Sequence, residues 1–475
     1  MGLSPVRPPR PDRQKPDRSK ADTNNRVAVE SREQGPAPAG LAVRQVAVHI
    51  LDAVLVKRQP LERALEMQAT WLAPLETRDR GFALTIVRTV LRRLLFLDAV
   101  VTRLIEKPLP AEAGRVRLIL LVGAAQIALL ETPAHAAVNL AVEQCQRDRA
   151  LRRFDKLVNA VLRRVPDSAK TIAATWDAPK SDTPAWLFAR WAAAYGEASA
   201  RRIAAANLHR AALDISVRSD AETWAATLGA RLLPTGSLRI ADAGAIPDLP
   251  GFAGDAWWVQ DTAAAIPARL LGEVKGLRIA DLCAAPGGKT AQLAAAGARV
   301  TAVDSSTGRL KRLAENMARL QLAEHVTVHT SDIESFTSAE PFDAVLLDAP
   351  CSATGTIRRH PDILHLKTPE DIARLATLQG RLLTAAARLV RPGGRLIYCT
   401  CSLEPEEGAE QITRFLAAAP QFSRLVITAN EIGGSVDWIT GDGDLRTLPF
   451  HLPDTAPEMT GLDGFFAARL VRSLA

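Results

Sequence analysis

Residues 277–304 read LRIADLCAAPGGKTAQLAAAGARVTAVD, and residues 342–351 and 394–402 read FDAVLLDAPC and GRLIYCTCS. Short apolar runs alternate with helical stretches throughout this part of the chain. Strands that alternate with helices in one continuous segment predict a parallel, doubly wound α/β sheet. Ligands of such sheets bind beyond the carboxyl ends of the strands. Polar residues stand at these ends: Asp281, Asp304, Asp332, Asp348 and the turn at 400–402.

The turn after the first of these strands is a candidate cofactor loop, because it is built almost entirely from small residues. It comprises Cys283, Ala284, Ala285, Pro286, Gly287, Gly288 and Lys289. Small side chains let a backbone approach a ligand, and the next helix offers unpaired N–H groups. The loop lacks both the G-x-G-x-x-G spacing that seats a pyrophosphate and the glycine spacing of a P-loop. S-adenosylmethionine, an adenosine without a phosphate, therefore fits better than a dinucleotide.

Two acidic strand ends complete the predicted cofactor site. Asp304 ends the second strand, where a carboxylate binds the ribose hydroxyls of an adenosine. Asp332 closes the third strand and is placed for the adenine amino group. The alternative interpretation is that Asp332 has a structural role and caps the turn that follows it.

Cys351 and Cys401 come after the fourth and fifth strands, at the same edge of the sheet as the cofactor loop. No C-x-x-C and no closely spaced histidine pair accompanies them, so zinc or another metal is not expected. A thiolate has a use beside a methyl donor, because its addition to carbon 6 of a pyrimidine makes carbon 5 nucleophilic. Asp348 is a candidate acid or hydrogen-bond partner for ring nitrogen 3. This chemistry does not rank one thiol above the other, and each cysteine alone is also compatible with a small buried hydrophobe.

The candidate reaction needs a thiolate, which basic neighbours favour. Lys289, Arg358 and Arg359 are the basic residues expected beside the thiols.

Residues 41–164 show helical periodicity, with Pro60, Pro110 and Pro133 between the apolar runs, and predict an all-helical domain. Its run Leu118–Leu130 is too short to span a bilayer and predicts a core helix. Its basic residues are either RNA-backbone contacts or an ordinary solvated helix face. These residues are Arg92, Arg93, Arg103, Arg115, Arg117, Arg152, Arg153, Arg163 and Arg164.

Three further segments complete the predicted organisation of the chain. Residues 1–40 are rich in proline and charge and predict a disordered tail. A linker is expected to begin at Val165, and short β-like runs within 213–259 predict a small α/β subdomain in which Trp257 and Trp258 lie on a seam. The predicted domains are therefore a tail at 1–40, a helical domain at 41–168, a connector at 169–265 and the doubly wound domain at 266–475.

Composition and charge narrow the class of protein. The 475 residues are 47% hydrophobic and 23% charged, which is typical of a soluble globular chain rather than a disordered or fibrous one. A formal charge of +7 favours a polyanionic partner without choosing one. The five cysteines show no disulfide pattern and the start resembles no signal peptide, so a reducing cytoplasm and no membrane are expected.

Residues 132–143, TPAHAAVNLAVE, and 154–164, FDKLVNAVLRR, resemble the NusB-type RNA-binding helical domain. DLCAAPGGKT at 281–290, LLDAPCSATGTIRRHPDI at 346–363 and YCTCSLEPEEGAEQI at 398–412 resemble three signature motifs of the RNA 5-methylcytosine methyltransferases of the Sun/RsmB type. The resemblance implies a Rossmann-like methyltransferase domain that uses S-adenosylmethionine. A NusB-like front joined to this domain implies 16S ribosomal RNA of the small subunit as substrate.

The resemblance also implies roles for the site residues. Cys401 is implied as the nucleophile and Cys351 as the thiol that assists product release. The loop at 283–289 and the three aspartates Asp304, Asp332 and Asp348 correspond to cofactor-binding positions, which gives Asp348 a possible second duty beside the base. Lys289 is implied to orient the reacting groups.

Three alternatives stay open. The same reaction on another RNA, such as tRNA, is one. A noncatalytic RNA-binding assembly factor is another, against which Cys351, Cys401 and Asp348 argue. An amino-directed methyltransferase would carry an Asp/Asn-Pro-Pro-aromatic loop, where this chain has Asp-Ala-Pro-Cys. A monomer is expected in each case.

Overall fold

The computed structural model describes residues 38–110, 113–433 and 435–474. Most of the predicted tail, residues 1–37, lies outside the described residues. The remainder forms a helical domain, a small antiparallel sheet and a large mixed sheet with helices on both faces. The predicted fold class, a helical front joined to a doubly wound α/β domain, is confirmed.

The front of the described chain is all helical, and we call its elements the front helices. They are α1 (Leu41–Leu51) with a π-helical continuation (Asp52–Val56), α2 (Leu61–Met67), α3 (Ala69–Leu72), α4 (Thr77–Arg92), α5 (Leu94–Leu104), α6 (Val116–Ala128), α7 (Ala134–Arg147) and α8 (Asp155–Ala173). Their apolar residues pack into one core. α6 lies inside it and is buried along most of its length, which explains the long apolar run of its sequence. Among the described helices, none combines the length and apolar character that crossing a bilayer requires.

Helix α8 differs from the linker expected to begin at Val165. It contains Pro166 and runs on to Ala173. A proline inside a helix removes one backbone hydrogen bond. Packing overrides this loss, because Val165 and Ala169 are buried against the front core and the hydroxyl of buried Ser168 donates to the Val100 carbonyl.

A second group of elements connects the front helices to the large sheet. It comprises α9 (Ala178–Ser181), α10 (Ala185–Tyr195), α11 (Glu197–Asn207), β1 (Leu213–Val217), α12 (Ala221–Leu228), β2 (Arg231–Leu232), β3 (Leu238–Ile240) and β4 (Trp257–Val259). The four strands form an antiparallel sheet in the order β2-β3-β1-β4, which we call the small sheet. Trp257 packs in the core of the small sheet, and Trp258 packs in a core of the large sheet. The two tryptophans therefore lie on a seam between the sheets, as predicted.

The large sheet carries the predicted strands. Its elements are α13 (Thr262–Arg269), β5 (Arg278–Leu282), α14 (Gly288–Ala295), β6 (Arg299–Asp304), α15 (Thr307–Arg319), β7 (Val326–Thr330), β8 (Phe342–Asp348), α16 (Ile363–Leu366), α17 (Pro369–Arg388), β9 (Val390–Thr400), α18 (Ala409–Ala418), β10 (Phe422–Arg424), β11 (Leu445–Thr447) and β12 (Phe465–Arg472). The order is β10-β12-β9-β8-β5-β6-β7, with β11 paired to β12. β5 to β9 are parallel to one another, and β12 joins β9 in the antiparallel sense.

Both faces of the large sheet are covered, which is why its central strands are apolar throughout. Residues of α13, α14 and α15 pack on one face, and residues of α17 and α18 pack on the other. Local signals start several of these helices. Asp261 caps α13 by accepting from two backbone N–H groups, Ser306 caps α15, and Thr368 with Asp371 forms a capping box at the start of α17.

A buried ion pair fastens the small sheet to the large one. Asp214 on β1 accepts two hydrogen bonds from Arg239 on β3, at 2.7 and 2.8 Å, and both side chains are almost fully buried. The same carboxylate accepts from the backbone and hydroxyl of Thr262 at the start of α13. Arg239 in turn donates to the Met459 carbonyl in the segment before β12. The predicted connector boundary at residue 265 falls inside α13, a helix whose buried residues pack on the large sheet.

We expect the substitution Asp214→Ala to lower the free energy of unfolding by about 3–5 kcal/mol, because it leaves the buried Arg239 charge without its partner. Urea denaturation followed by tryptophan fluorescence measures the change. Asp255→Ala is the matched control, since Asp255 pairs with Arg218 at 3.4 Å on the surface and its loss should cost no more than about 0.5 kcal/mol. Equal losses for the two variants would contradict a stabilising role of the buried pair.

Candidate active site

The candidate cofactor loop forms a tight turn between β5 and α14. Cys283 and Gly287 both adopt positive φ angles, 59° and 103°. At Gly287 a side chain would be strained and would also meet the Leu313 side chain at 2.9 Å. The Leu313 contact and the backbone angle together explain why the turn needs glycine at this position.

Asp304 lies at the end of β6 and organises this loop. Its buried carboxylate accepts hydrogen bonds from the backbone N–H groups of Ser306, at 2.9 Å, and Ala285, at 3.3 Å. Arg309, on the first turn of α15, lies 3.2 Å from the same carboxylate and donates to the Ala285 carbonyl at 2.5 Å. Arg309 is not among the site residues predicted from the sequence. The one sequence feature that points to it is its position shortly after Asp304, the acidic end of β6.

A cavity of about 340 Å³ opens between this loop and the neighbouring strand ends. We call it the first cavity. Its lining includes Cys283, Ala285, Asp304, Arg309, Asp332, Asp348, Cys351 and Cys401. Asp332 is exposed and its carboxylate also accepts from the Glu334 backbone N–H at 3.0 Å, so it caps a turn while lining the cavity. The cavity volume falls in the range of small-molecule sites, about 300–1,000 Å³.

A second cavity, of about 460 Å³, lies on the other side of the loop. Its lining includes Trp258, Gln260, Asp261, Pro286, Gly287, Gly288, Lys289, Asp348, His360, Cys401, Asp463 and Phe465. Ala285, Asp348 and Cys401 line both cavities. Ala284 lines the second cavity. The two cavities therefore adjoin at the Asp348 carboxylate and the Cys401 thiol.

Asp348 is held from two sides. Lys289 donates to one carboxylate oxygen at 2.8 Å, and the Cys399 thiol lies 3.6 Å from the other. Burial by itself lowers the pKa of Lys289, but the Asp348 carboxylate outweighs it and the pKa is raised overall. Lys289 therefore keeps its proton beside Asp348.

Asp281, on β5, is a second buried carboxyl group next to this pair. One oxygen accepts from the Thr290 hydroxyl at 2.6 Å, and the other has no hydrogen-bond partner among the described residues. Burial raises the pKa of Asp281 to about 7. The group lines the second cavity, so a carboxyl that is partly protonated at neutral pH adjoins Lys289.

The two predicted thiols are brought together. The sulfur atoms of Cys351 and Cys401 lie 3.5 Å apart, because they come directly after the neighbouring parallel strands β8 and β9. The hydrogen bond with Cys401, and then burial, raise the pKa of Cys351 well above its usual range. All five cysteines of the chain are free thiols.

Glu407 joins the two turns that carry the thiols. Its buried carboxylate accepts from the backbone N–H of Ser352 at 2.9 Å and from the hydroxyls of Ser352 and Ser402. Gln379 on α17 donates to it at 3.0 Å. Glu407 is not predicted as a site residue. It lies within the motif at 398–412, but nothing in the sequence shows that its side chain points into the protein.

The expectation that Arg358 and Arg359 lie beside the thiols is wrong. Arg359 pairs with Asp261, at 2.5 Å, and with Asp463, at 3.1 Å. Arg358 donates to the Thr460 and Leu462 carbonyls. Both guanidinium groups are taken up by acceptors away from the thiols, and the groups that shift the pKa of Cys351 are Cys401, Glu407 and the Ala353 backbone, together with burial.

A small-residue loop before a helix, an acidic end on the next strand and two thiols facing it define a class of protein: a methyltransferase of the doubly wound α/β type. Comparison with known proteins agrees with this class. The model of the 16S rRNA methyltransferase RsmB/F family matches residues 268–471, and the model of the NusB family matches residues 41–167.

Full-length relatives identify the family. The ribosomal RNA small subunit methyltransferase B of Xylella fastidiosa strain Temecula1 is 36% identical, over 92% of this chain and 99% of its own length. The protein of the same name from Pseudomonas putida is also 36% identical, over 91% and 99%. The chain therefore belongs to the RsmB/F family of 16S rRNA methyltransferases, and it is an S-adenosylmethionine-dependent RNA methyltransferase.

Two solved structures share the fold. The crystal structure of PH0851 aligns with a TM-score of 0.68 at 23% identity, over 92% of this chain and 99% of its own. NSun6 from Pyrococcus horikoshii with SFG aligns with a TM-score of 0.52 at 19% identity, over 62% and 98%.

Gly355 offers a test of how tightly the Cys401 turn is placed. Its backbone N–H donates to the Cys401 carbonyl at 3.0 Å, and a side chain on it would collide with the Gly464 carbonyl oxygen. Gly355→Ala should therefore displace the turn and lower methyl transfer about 100-fold, the effect of a misplacement of about 1 Å.

Gly308→Ala is the control for this substitution, because nothing lies within 4 Å of the position its side chain would take. Methyl transfer to RNA measures both variants. Equal activity in the two proteins would show that the Cys401 turn tolerates displacement.

Proposed function

We propose that this protein transfers a methyl group from S-adenosylmethionine to carbon 5 of a cytosine in 16S ribosomal RNA, through a covalent bond between Cys401 and carbon 6 of the base. One observation carries the proposal: Asp348 and Cys401 line both cavities. A donor in the first cavity and a base in the second would then meet at the two groups that the reaction needs.

The first cavity suits S-adenosylmethionine by the chemistry of its lining. Asp304 and Asp332 are acceptors for the ribose hydroxyls and the adenine amino group, and the guanidinium of Arg309 is a partner for the carboxylate of the amino-acid part. The small residues of the loop at 283–289 let the backbone approach the ligand. Bound there, the cofactor supplies an electrophilic methyl group on a sulfonium sulfur.

Cys401 and Asp348 then activate the base. The Cys401 thiolate forms a bond to carbon 6, and the electron pair of the carbon 5–carbon 6 double bond moves toward carbon 5. The proton that Lys289 shares with Asp348 passes to ring nitrogen 3 and neutralises the negative charge that develops there. Carbon 5 takes the methyl group as that group's bond to the sulfonium sulfur breaks, and it then gives its own proton to solvent. Ring nitrogen 3 returns its proton to the Lys289 and Asp348 pair, and the returning electron pair expels the Cys401 thiolate.

The structure supports different roles for the two thiols. Cys401 lines the second cavity as well as the first, whereas Cys351 lines the first alone. The hydrogen bond with Cys401, and then burial, raise the pKa of Cys351. A thiol 3.5 Å from the proposed nucleophile, and outside the second cavity, is placed for proton transfer during product release.

The relatives' names and the domain arrangement support the substrate. Proteins that are 36% identical over nearly the whole chain are called ribosomal RNA small subunit methyltransferase B. We propose that the NusB-like domain at 41–168 and the connector at 169–265 contact the RNA, while the domain at 266–475 performs the reaction. We further propose that the protein acts as a monomer and without a metal.

A covalent-trap experiment tests the proposed roles of the thiols. Cys351→Ala, mixed with 16S rRNA and cofactor, should accumulate a protein–RNA adduct that survives denaturing electrophoresis, because the nucleophile attacks but release is impaired. Cys401→Ala should form none. Cys145→Ala, which removes a buried thiol of the front core, is the control and should behave like the unaltered protein. An adduct that forms with Cys401→Ala but not with Cys351→Ala would reverse the assignment.

The cofactor site has its own test. Asp304→Ala should weaken binding of S-adenosylmethionine at least about tenfold, since it removes a charged acceptor and its hydrogen bonds. Isothermal titration calorimetry measures the affinity, and circular dichroism checks that the fold is kept. Asp343→Ala, at the opposite end of β8, is the control. Unchanged affinity would remove Asp304 from the site.

A further inference from the structure

The front helices rest directly on the segment that leaves the Cys351 turn. Arg92, at the end of α4, is buried and donates to the backbone carbonyls of Asn207, at 3.1 Å, and Arg358, at 2.9 Å. The Leu61 backbone N–H donates to Asp362 at 2.9 Å, and a ring nitrogen of His365 lies 2.6 Å from the Leu91 carbonyl. α4 is therefore held against both the carboxyl end of α11 and the segment at 354–366.

These contacts bring three further side chains to the same junction. Arg88 lies one helical turn before Arg92 and shares its face of α4. Arg210 lies three residues after Asn207 in the loop after α11, and His360 lies two residues after Arg358. We call Arg88, Arg210 and His360 the junction seam. In the part of the chain that the structure describes, none of the three side chains makes a hydrogen bond or an ion pair.

The junction seam is positively charged and incompletely neutralised. Burial lowers the pKa of Arg88, and the nearby charge of Arg210 lowers it further, while Asp362 acts in the opposite direction. Burial, Arg88, Arg358 and Arg210 lower the pKa of Arg92 to about 10. Glu62 and Asp362 are the carboxylates that face His360. Like charges held this close repel, and a bound polyanion would relieve the repulsion.

The seam also leads into the active site. His360 lines the second cavity together with Lys289, Asp348 and Cys401. His360 therefore lies between the contact of α4 with the segment at 354–366 and the second cavity, which is the proposed pocket for the base. A nucleotide that places its base in this cavity would run its backbone past His360 toward the two arginines.

We propose that the junction seam binds the phosphates of the RNA strand on one side of the target cytosine, with Arg88 and Arg210 as the charged contacts and His360 as the hydrogen-bonding group nearest the base. The inference rests on the proposed function and adds to it a path for the strand. It gives the helical front a direct part in the reaction, because Arg88 belongs to the front helices and the other two residues do not. RNA is the partner of choice because one half-buried and one exposed arginine, both without a side-chain partner among the described residues, suit a chain of phosphates.

Binding of in vitro transcribed 16S rRNA to the full-length protein tests the proposal. The dissociation constant is measured over a series of salt concentrations for the unaltered protein, Arg88→Gln and Arg210→Gln. Each substitution should weaken binding about tenfold, as loss of a charged hydrogen bond does. The slope of log affinity against log salt should fall by about 0.7–0.9 for each phosphate contact removed. His360→Ala should raise KM for the RNA while the affinity for S-adenosylmethionine stays unchanged.

Two controls separate phosphate contact from packing and from general charge. Arg88→Lys keeps the charge and should retain most of the affinity and the salt slope. Arg388→Gln removes an exposed arginine at the end of α17, beside the amino end of β9 and so at the edge of the large sheet opposite the cofactor loop. It should change neither quantity by more than about twofold. Arg210 is exposed, so its variant is expected to fold even where substitutions at Arg88 do not.

Affinity and salt slope for Arg210→Gln that match those of Arg388→Gln would overturn the proposal, as would equal losses for Arg88→Lys and Arg88→Gln. These outcomes are independent of the proposed reaction. If the unaltered protein methylated another atom of the RNA, the proposed function would be wrong. The binding measurements would still test whether the junction seam contacts phosphates.

Discussion

The buried carboxylate of Glu407 is the contact on which the candidate active site depends. It accepts hydrogen bonds from the Ser352 and Ser402 turns, and those two turns carry Cys351 and Cys401. Adjacent parallel strands bring the turns near each other, but β9 ends at Thr400 and strand pairing cannot fix the residues beyond it. A buried carboxylate without hydrogen-bond donors would cost free energy, so the Ser352 and Ser402 turns must keep donating to Glu407. The position of Glu407 therefore sets the positions of both turns. Gln379 donates to this carboxylate, and the hydroxyls of Tyr398 and Thr400 donate to the backbone carbonyl of Glu407, so Glu407 is itself held in place.

The sequence predicts the large sheet well, for a physical reason. A strand covered on both faces must be apolar throughout, so the residue at which polarity returns marks its carboxyl end. Asp304 and Asp348 are recognisable in this way, and both line the first cavity. The loop at 283–289 is recognisable because close approach of a backbone to a ligand requires small residues.

The sequence does not predict which partner a polar side chain chooses. Arg92 belongs by pattern to the basic residues of a helix face, yet it is buried against two backbone carbonyls of other elements. Arg358 and Arg359, expected beside the thiols, pair elsewhere. Arg309, Glu407 and the continuation of α8 past Pro166 likewise depend on contacts between segments far apart in the chain. Periodicity indicates the burial of a residue, and carries no information on such contacts.

The adjacent tryptophans on β4 have a consequence for how the molecule can move. Trp257 belongs to the hydrophobic interior of the small sheet and Trp258 to that of the large sheet, although they are neighbours on one short strand. A strand that contributes to two interiors cannot leave one without disturbing the other. The small and large sheets should therefore open, exchange their amide hydrogens and unfold as one cooperative unit. Any rearrangement that admits a structured RNA must then take place between this unit and the front helices.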